Sequence, residues 1–138
     1  MDIVHLIQSA VAPVFLLSGV GVTLGVLTNR LARVIDRARF LETQAVTDST
    51  RSSLRVLARR AHYINIAIAL CTVSALLVSL VVMTLFASAF VSVDLSIAIA
   101  LLFVLAMICL TGAFGVFLLE VRMSVAALQF GLRPGARQ

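Results

Sequence analysis

Side chains able to do acid–base, nucleophilic or metal chemistry are few in this 138-residue chain and lie far apart in the sequence. Neither His5 nor His62 has a cysteine or a carboxylate cluster nearby. Cys71 and Cys109 fall within apolar runs, where a free thiol behaves as a small hydrophobe, although their spacing also permits a disulfide. Structural metal sites need clustered cysteine and histidine ligands, which the sequence lacks. We therefore predict no catalytic residue, no metal, no cofactor and no enzymatic activity.

Arginine is the abundant charged residue, since all 11 basic residues are arginine against six acidic ones, for a net charge of +5. In a soluble protein such clustered basic charge indicates nucleic acid. Here hydrophobic residues make up 62% of the chain and charged residues 12%, against about 45–50% and about 25% in soluble domains. This composition excludes a soluble enzyme domain and a disordered tail. Beside apolar segments the arginines indicate anionic phospholipid, and we predict no nucleic-acid partner.

Three apolar runs are each long enough to cross the hydrocarbon core, which takes about 20 helical residues. They cover residues 3–28, 64–91 and 95–119, which leaves a polar segment over 29–63 and a tail over 120–138. The first run lacks the basic start of a signal peptide, and we expect it to be retained. Only Ser92–Asp94 separates the other two runs, which predicts a tight turn with Asp94 or Ser92 as a helix N-cap. The sequence therefore predicts one all-α membrane domain over residues 1–138.

The arginines are distributed unevenly around these runs. Eight lie between the first and second runs and three follow the third, whereas the N-terminus and the 92–94 turn have none. Positively charged residues flanking membrane spans are found mainly on the cytoplasmic side. We therefore predict a cytoplasmic 29–63 segment and a cytoplasmic C-terminus, with the N-terminus outside.

The 29–63 segment has the heptad spacing that is typical of paired helices. Its two seams are separated by the turn-forming residues 47–50, and no proline or glycine separates them from the membrane runs. We predict that the first two transmembrane helices extend into an antiparallel cytoplasmic hairpin, with helix one ending at about residue 45. The seam residues are Leu27, Leu31, Val34, Ala38, Leu41 and Ala45, then Leu54, Leu57, Ala61, Ile64 and Ile68.

Helix one also carries a polar stripe, which should face protein or water because polar groups facing lipid are costly. In an oligomer built around helix one this stripe would line an aqueous path, with a ring of Arg30 at the cytoplasmic mouth. The alternative is that the outermost residues are simply hydrated and that Thr23 bonds its own backbone. The pore-lining candidates are His5, Gln8, Ser9, Gly19, Thr23 and Arg30.

Small and hydroxyl-bearing residues in the runs predict helix packing. Gly21 and Gly25 form a G-x-x-x-G motif beside Ser18, which allows close approach of a second helix from the same chain or another copy. Gly112 and Gly115 suggest close contact in the third run. Three polar residues recur every seven positions of the second run and are candidates for bonds between helices: Asn65, Thr72 and Ser79.

The charged residues of the polar segment predict two kinds of contact. Glu120 lies at the depth of Arg30 and Arg33, and an ion pair there would join the third helix to the base of the hairpin. Asp36 has the spacing to pair with neighbouring arginines on its own helix, or with Arg59 or Arg60 across the hairpin. The candidates for binding anionic phospholipid or a cytoplasmic protein, with a merely solvated basic face as the alternative, are Arg33, Arg37, Arg51, Arg55 and Arg59.

A more specific pattern runs through Pro13-Val-Phe-Leu-Leu-Ser-Gly19, Asn29-Arg-Leu-Ala-Arg33 and Asp36-Arg-Ala-Arg39. It resembles a bacterial family of small three-span membrane proteins whose domain has no known function, most strongly over residues 11–42. The resemblance implies a location in the bacterial inner membrane. It implies no activity and no catalytic residue.

Two functions remain open from the sequence. The first is a homo-oligomeric ion channel with helix one around its axis, because small subunits form a pathway by symmetric assembly. The second is a non-conducting scaffold or accessory subunit that binds anionic lipid or a cytoplasmic partner through its arginine-rich hairpin.

Overall fold

The computed structural model describes residues 2–131, which fold into three α-helices with no strand among them. They are α1 (Ile3–Glu42), α2 (Asp48–Ala87) and α3 (Ser96–Gly131). The prediction of an all-α chain is confirmed. The last part of the predicted tail, 132–138, with Arg133 and Arg137, lies outside the described residues.

Each helix contains a segment long and apolar enough to cross a membrane. Many of their large apolar side chains, such as Phe15, Val22 and Leu101, are exposed on the surface of the chain. Extended exposed apolar surface marks a membrane or protein interaction site. The three helices are therefore compatible with a membrane protein whose outer surface contacts lipid.

The connection between α1 and α2 is short and polar. Helix α1 ends at Glu42 rather than near residue 45, and the backbone N–H of Gln44 donates to the carbonyl of Leu41 at 3.2 Å. Thr47 then caps α2, because its hydroxyl accepts from the backbone N–H of Thr50 at 3.4 Å. Asp48 lies in the first turn of α2, where a negative charge stabilises the helix dipole. Two helices of 40 residues each, about 60 Å long at 1.5 Å per residue, thus follow one another directly.

The connection between α2 and α3 is longer than the sequence indicated. Helix α2 ends at Ala87 and α3 begins at Ser96, so the prediction of a turn of only Ser92–Asp94 is wrong. Residues 88–91 are apolar enough to resemble helix, and composition alone does not show where an apolar helix stops. The N-cap position of α3 is Leu95, whose carbonyl accepts from the backbone N–H of Ile99 at 3.0 Å, so the predicted N-cap Asp94 stands one residue before it. The Asp94 carboxylate still accepts from the backbone N–H of Ser96 at 3.0 Å and from the Ser96 hydroxyl. These hydrogen bonds lower the pKa of Asp94 below its ordinary value.

Helix α2 lies between the other two and packs against both, whereas α1 and α3 make few direct contacts in the described part of the chain. The α1 side of the core repeats every seven residues, as the seam of a coiled coil does. Leu31, Ala38 and Leu41 pack against this core, as predicted, but Ala45 is exposed beyond the end of α1. The core cluster consists of Val20, Leu27, Val34, Leu57, Ile64, Ala67, Cys71, Leu110 and Ala113.

Among the described residues of the apolar segments, one hydroxyl group forms a hydrogen bond between two helices. The Ser74 hydroxyl, fully buried in α2, donates to the carbonyl of Ala106 in α3 at 2.9 Å. The predicted residues behave differently: Thr72 and Ser79 donate to carbonyls of their own helix at 2.9 Å, and Asn65 is exposed. Cys71 and Cys109 are both free thiols.

The glycines differ in how closely a second helix approaches them. A methyl group at Gly112 would lie 3.6 Å from Leu70 Cδ1 of α2, so this glycine does sit in a helix contact. For Gly21, Gly25 and Gly115, no described atom outside the local helix backbone comes within 4 Å of that position. Ser18 is exposed beside them. The G-x-x-x-G face of α1 is therefore not used for packing within the described chain.

Candidate functional site

Glu120 is a carboxylate removed from water, with 0% of its residue surface exposed. It lies on α3 directly after the apolar run, at the level where the polar parts of α1 and α2 begin. A buried carboxylate is stable only with charged or hydrogen-bonding partners, because loss of hydration costs several kcal/mol per ion, to order of magnitude. The question is therefore which side chains surround it.

Both neighbouring helices supply an arginine to Glu120. From α2, the Nε and Nη2 atoms of Arg60 donate to Glu120 Oε1 at 3.2 and 3.1 Å. From α1, Arg30 Nη2 lies 3.2 Å from Oε2. Ser124, one turn further along α3, donates its hydroxyl to Oε1 at 2.9 Å. This carboxylate thus joins all three helices and links α1 to α3, which otherwise make few contacts.

The two carboxylate oxygens are not equally satisfied. Oε1 accepts three hydrogen bonds, whereas Oε2 accepts none of good geometry from a described residue, despite the charge contact with Arg30. Two interactions position Arg30. It is attracted by the negative charge of Glu120, and its guanidinium carbon lies 5.3 Å from the centre of the Phe117 ring, which is a cation–π distance. Both arginines remain partly exposed, Arg30 at 33% and Arg60 at 23% of the side chain. Because a guanidinium has five N–H donors, each arginine keeps donors that Glu120 does not use.

Both arginines line a cavity of about 350 Å³ between α1 and α2. Its lining consists of four arginines and two aliphatic side chains, and none of the described lining residues is acidic. Counting Glu120 behind it, four guanidinium groups face one carboxylate, which leaves three positive charges. We call this cavity the arginine pocket; it is lined by Arg30, Arg33, Val34, Arg37, Leu57 and Arg60.

The arrangement favours an anion. Guanidinium groups bind phosphate and carboxylate through paired hydrogen bonds as well as through charge. No group of three histidine, cysteine, aspartate or glutamate residues that could hold a metal ion occurs within residues 2–131. The pocket also holds no nucleophile or general base among its described lining side chains. The lining side chains therefore offer positive charge and N–H donors, which suit a negatively charged ligand.

The predicted ion pairs are partly found. The Glu120–Arg30 pair follows the sequence expectation, but Arg60, the best hydrogen-bonded partner of Glu120, was considered only as a partner for Asp36. Asp36 is exposed and forms no ion pair within 4 Å with a described residue. The sequence position of Arg60 indicates that it lies beside the contact between the two helices. Arg60 directly precedes Ala61 of the second seam and stands four residues before the buried Ile64. An arginine beside a seam at the membrane boundary points toward the helix pair.

The predicted basic residues separate into two groups. Arg33 and Arg37 line the arginine pocket together with Arg30 and Arg60. The stripe of Arg51, Arg55 and Arg59 is exposed and lies elsewhere on α2, and none of its members lines that pocket.

The pore-lining candidates all lie on α1, and most of them are exposed. His5, Gln8 and Gly19 are exposed, and the hydroxyls of Ser9 and Thr23 donate to carbonyls of their own helix at 2.9 and 3.0 Å. Arg30 belongs to the Glu120 site rather than to this stripe.

Comparison with known proteins gives one match. A family model described as "Protein of unknown function (DUF2721)" matches residues 10–130. The match confirms the resemblance to an uncharacterised domain family that the sequence pattern indicated. No curated protein and no solved structure matches the chain.

Proposed function

The chain belongs to the DUF2721 family, and we propose that it is a small membrane protein that binds anionic phospholipid in its arginine pocket. In this proposal it acts as a non-conducting scaffold or accessory subunit, not as an enzyme. The observation that carries the proposal is the convergence of Arg30, Arg33, Arg37 and Arg60 around one cavity. Glu120 beneath them neutralises only part of their charge.

The depth of the pocket supports a lipid ligand. Arg30 follows the first apolar run by two residues, Arg60 precedes the second by four, and Glu120 directly follows the third. The arginine pocket therefore opens where the hydrocarbon core gives way to lipid phosphates. Each arginine near an anionic membrane surface contributes about 1 kcal/mol of attraction.

The side of the membrane follows from the arginine distribution. We place the pocket in the cytoplasmic leaflet of a bacterial inner membrane, with the hairpin in the cytoplasm and the N-terminus outside, because the arginines flank only one set of helix ends. Bacterial membranes supply abundant anionic phospholipid at that surface.

Native mass spectrometry of the full-length protein, released from nanodiscs of defined lipid composition, tests the proposal. The test variant is Arg33→Gln with Arg37→Gln, and the matched control is Arg51→Gln with Arg55→Gln, which removes the same charge outside the pocket. We expect the test variant to lose about thirtyfold in retained anionic phospholipid, because each arginine near an anionic membrane surface contributes about 1 kcal/mol and two of them are removed. The control should stay within about twofold. Equal retention by both variants would overturn the proposal.

Conduction by a homo-oligomer is the second candidate, and a specific observation favours it. The G-x-x-x-G face of α1 is open, and His5 and Gln8 are exposed on the same helix. Close packing of α1 helices from several copies would bury those glycines.

A subunit count in nanodiscs tests this assembly, and a monomer or dimer would exclude a central pore. If the protein forms a ring of four or more subunits, ion flux through liposomes is compared between the wild type and Gln8→Leu. Unchanged flux would show that the polar stripe of α1 does not line the conduction path.

A further inference from the structure

A second cavity of about 400 Å³ adjoins the arginine pocket along the groove between α1 and α2. The two cavities share Arg37, Leu57 and Arg60 as common wall residues. Beyond this shared wall the lining changes from guanidinium groups to hydroxyl and aliphatic groups. We call this part the serine groove; its own lining residues are Leu41, Ser52, Ser53 and Val56.

The serine groove lies further from the apolar runs than the arginine pocket does. The arginine pocket is lined by residues 30–37 of α1 and by residues 57–60 of α2. The serine groove is lined by residues 37–41 of α1 and extends on α2 to residue 52. A shift of about five helical residues corresponds to roughly 8 Å along the helix axis. A ligand phosphate at the membrane boundary would thus have its headgroup substituent directed along this groove.

The hydroxyl groups there can bind a polar, uncharged substituent. Ser52 already donates to the carbonyl of Ser49 at 2.9 Å, so its oxygen is available as an acceptor. Ser53 is exposed and can donate or accept. An ammonium group at this place would face Arg37 and Arg60 with no acidic residue among the described lining side chains of either cavity. Like charges repel, so an amine-bearing headgroup is disfavoured.

We infer that the ligand is an anionic phospholipid whose headgroup carries free hydroxyl groups beyond its phosphate, of the glycerol or inositol type. The phosphate binds the arginine pocket and the headgroup hydroxyls bind Ser52 and Ser53. This inference rests on the proposed function and adds the headgroup class. It makes Ser52 and Ser53 residues that determine specificity, whereas the arginines supply affinity.

The test compares phosphatidylglycerol with phosphatidylethanol, a phosphodiester of the same single charge whose headgroup carries no free hydroxyl. Full-length protein is placed in nanodiscs with equal fractions of both lipids, and the ratio retained is measured by native mass spectrometry. We expect the wild type to prefer phosphatidylglycerol by about fivefold for each hydroxyl bond formed. Ser52→Ala with Ser53→Ala should bring the ratio close to one without lowering retention of phosphatidylethanol.

The matched control is Ser9→Ala with Ser79→Ala, since both hydroxyls donate to carbonyls of their own helix and line neither cavity. This control should keep the wild-type ratio. If the wild type retains both lipids equally while Arg33→Gln with Arg37→Gln still loses both, the headgroup inference is wrong and the proposed function stands. If the wild type retains neither lipid, the proposed function itself fails. A preference that survives in the double serine variant also overturns the inference.

Discussion

Glu120 shows at the scale of a single residue how a charge can be buried among three helices. Its desolvation costs free energy, and Arg30, Arg60 and Ser124 compensate through ion pairs and hydrogen bonds. A buried ion pair often contributes little to net stability, but removing one partner leaves an uncompensated charge. The main effect of Glu120 is then to fix the guanidinium groups of Arg30 and Arg60 at the edge of the arginine pocket.

Substitution of Glu120 should therefore destabilise the protein. We expect Glu120→Ala to lower the free energy of unfolding by roughly 3 kcal/mol, near the lower end for breaking a buried pair because both arginines can turn toward water. Glu120→Gln should cost less, since the amide keeps the volume and can still accept a hydrogen bond. Glu42→Gln, an exposed acid at the end of α1, is the control. Denaturant titration in detergent measures these changes, and equal stability of Glu120→Ala and the control would contradict the expectation.

The sequence predicted part of this site for a clear reason. Residues at the same distance from an apolar run are expected at the same depth in the membrane. This rule predicts that Arg30 and Glu120 lie close together, without any knowledge of the fold. Depth alone did not distinguish Arg59 from Arg60, because they are neighbours in the sequence. The direction of each side chain around α2 separates them, with Arg60 toward Glu120 and Arg59 exposed.

At the scale of the helices, the heptad seam between α1 and α2 explains why both continue beyond the apolar runs. Leu27 and Val34 of α1 and Leu57 and Ile64 of α2 belong to one buried cluster. Apolar spacing of this kind is visible in a sequence because it repeats. The end of α2 carries no comparable signal, since residues 84–91 are apolar on both sides of the actual helix terminus at Ala87.

Within the polar segment over residues 29–63, the packing of α1 against α2 depends on Leu57, which is only 8% exposed. We expect Leu57→Ala to cost about 2–3 kcal/mol of stability, because it leaves a cavity between α1 and α2. Val56→Ala, next to it but 48% exposed, is the control and should cost less than about 0.5 kcal/mol. Hydrogen exchange of residues 31–60 reads out this region separately from the membrane spans. Exchange that is equally fast in both variants would contradict a seam centred on Leu57.

For the whole molecule, the decisive arrangement is that α2 separates α1 from α3 over most of their length, while Arg30 of α1 contacts both Glu120 and Phe117 of α3. The arginine pocket and the serine groove lie on the same side of the apolar runs as the end of α1, the start of α2 and the end of α3. The connection over residues 88–95 lies at their opposite end. The proposed function requires these two ends to face different compartments.

Single cysteines at the two ends test this orientation, introduced into a chain carrying Cys71→Ala and Cys109→Ala. A membrane-impermeant thiol reagent added to intact cells should label Ser92→Cys and leave Ser49→Cys unlabelled, because the arginine-flanked ends stay in the cytoplasm. Inverted membrane vesicles should give the reverse pattern. Labelling of Ser49→Cys from outside would place the arginine pocket in the outer leaflet and contradict the proposed location.

The length of α1 and α2 has an electrostatic consequence. From Arg30 to Glu42, α1 runs twelve further residues, so with Arg30 at the membrane boundary, as proposed, the end of α1 stands about 18 Å from that boundary. Mobile ions screen charges over about 8 Å at physiological ionic strength. In the proposed orientation, Arg30 and Arg60 therefore act within the field of the membrane surface. Arg51, nine residues or about 14 Å further along α2 than Arg60, lies where that field is weak and where only the substituent of a lipid bound in the arginine pocket comes close. One short protein thus holds two basic regions that respond to different surroundings, one to the composition of the bilayer and the other to the solution.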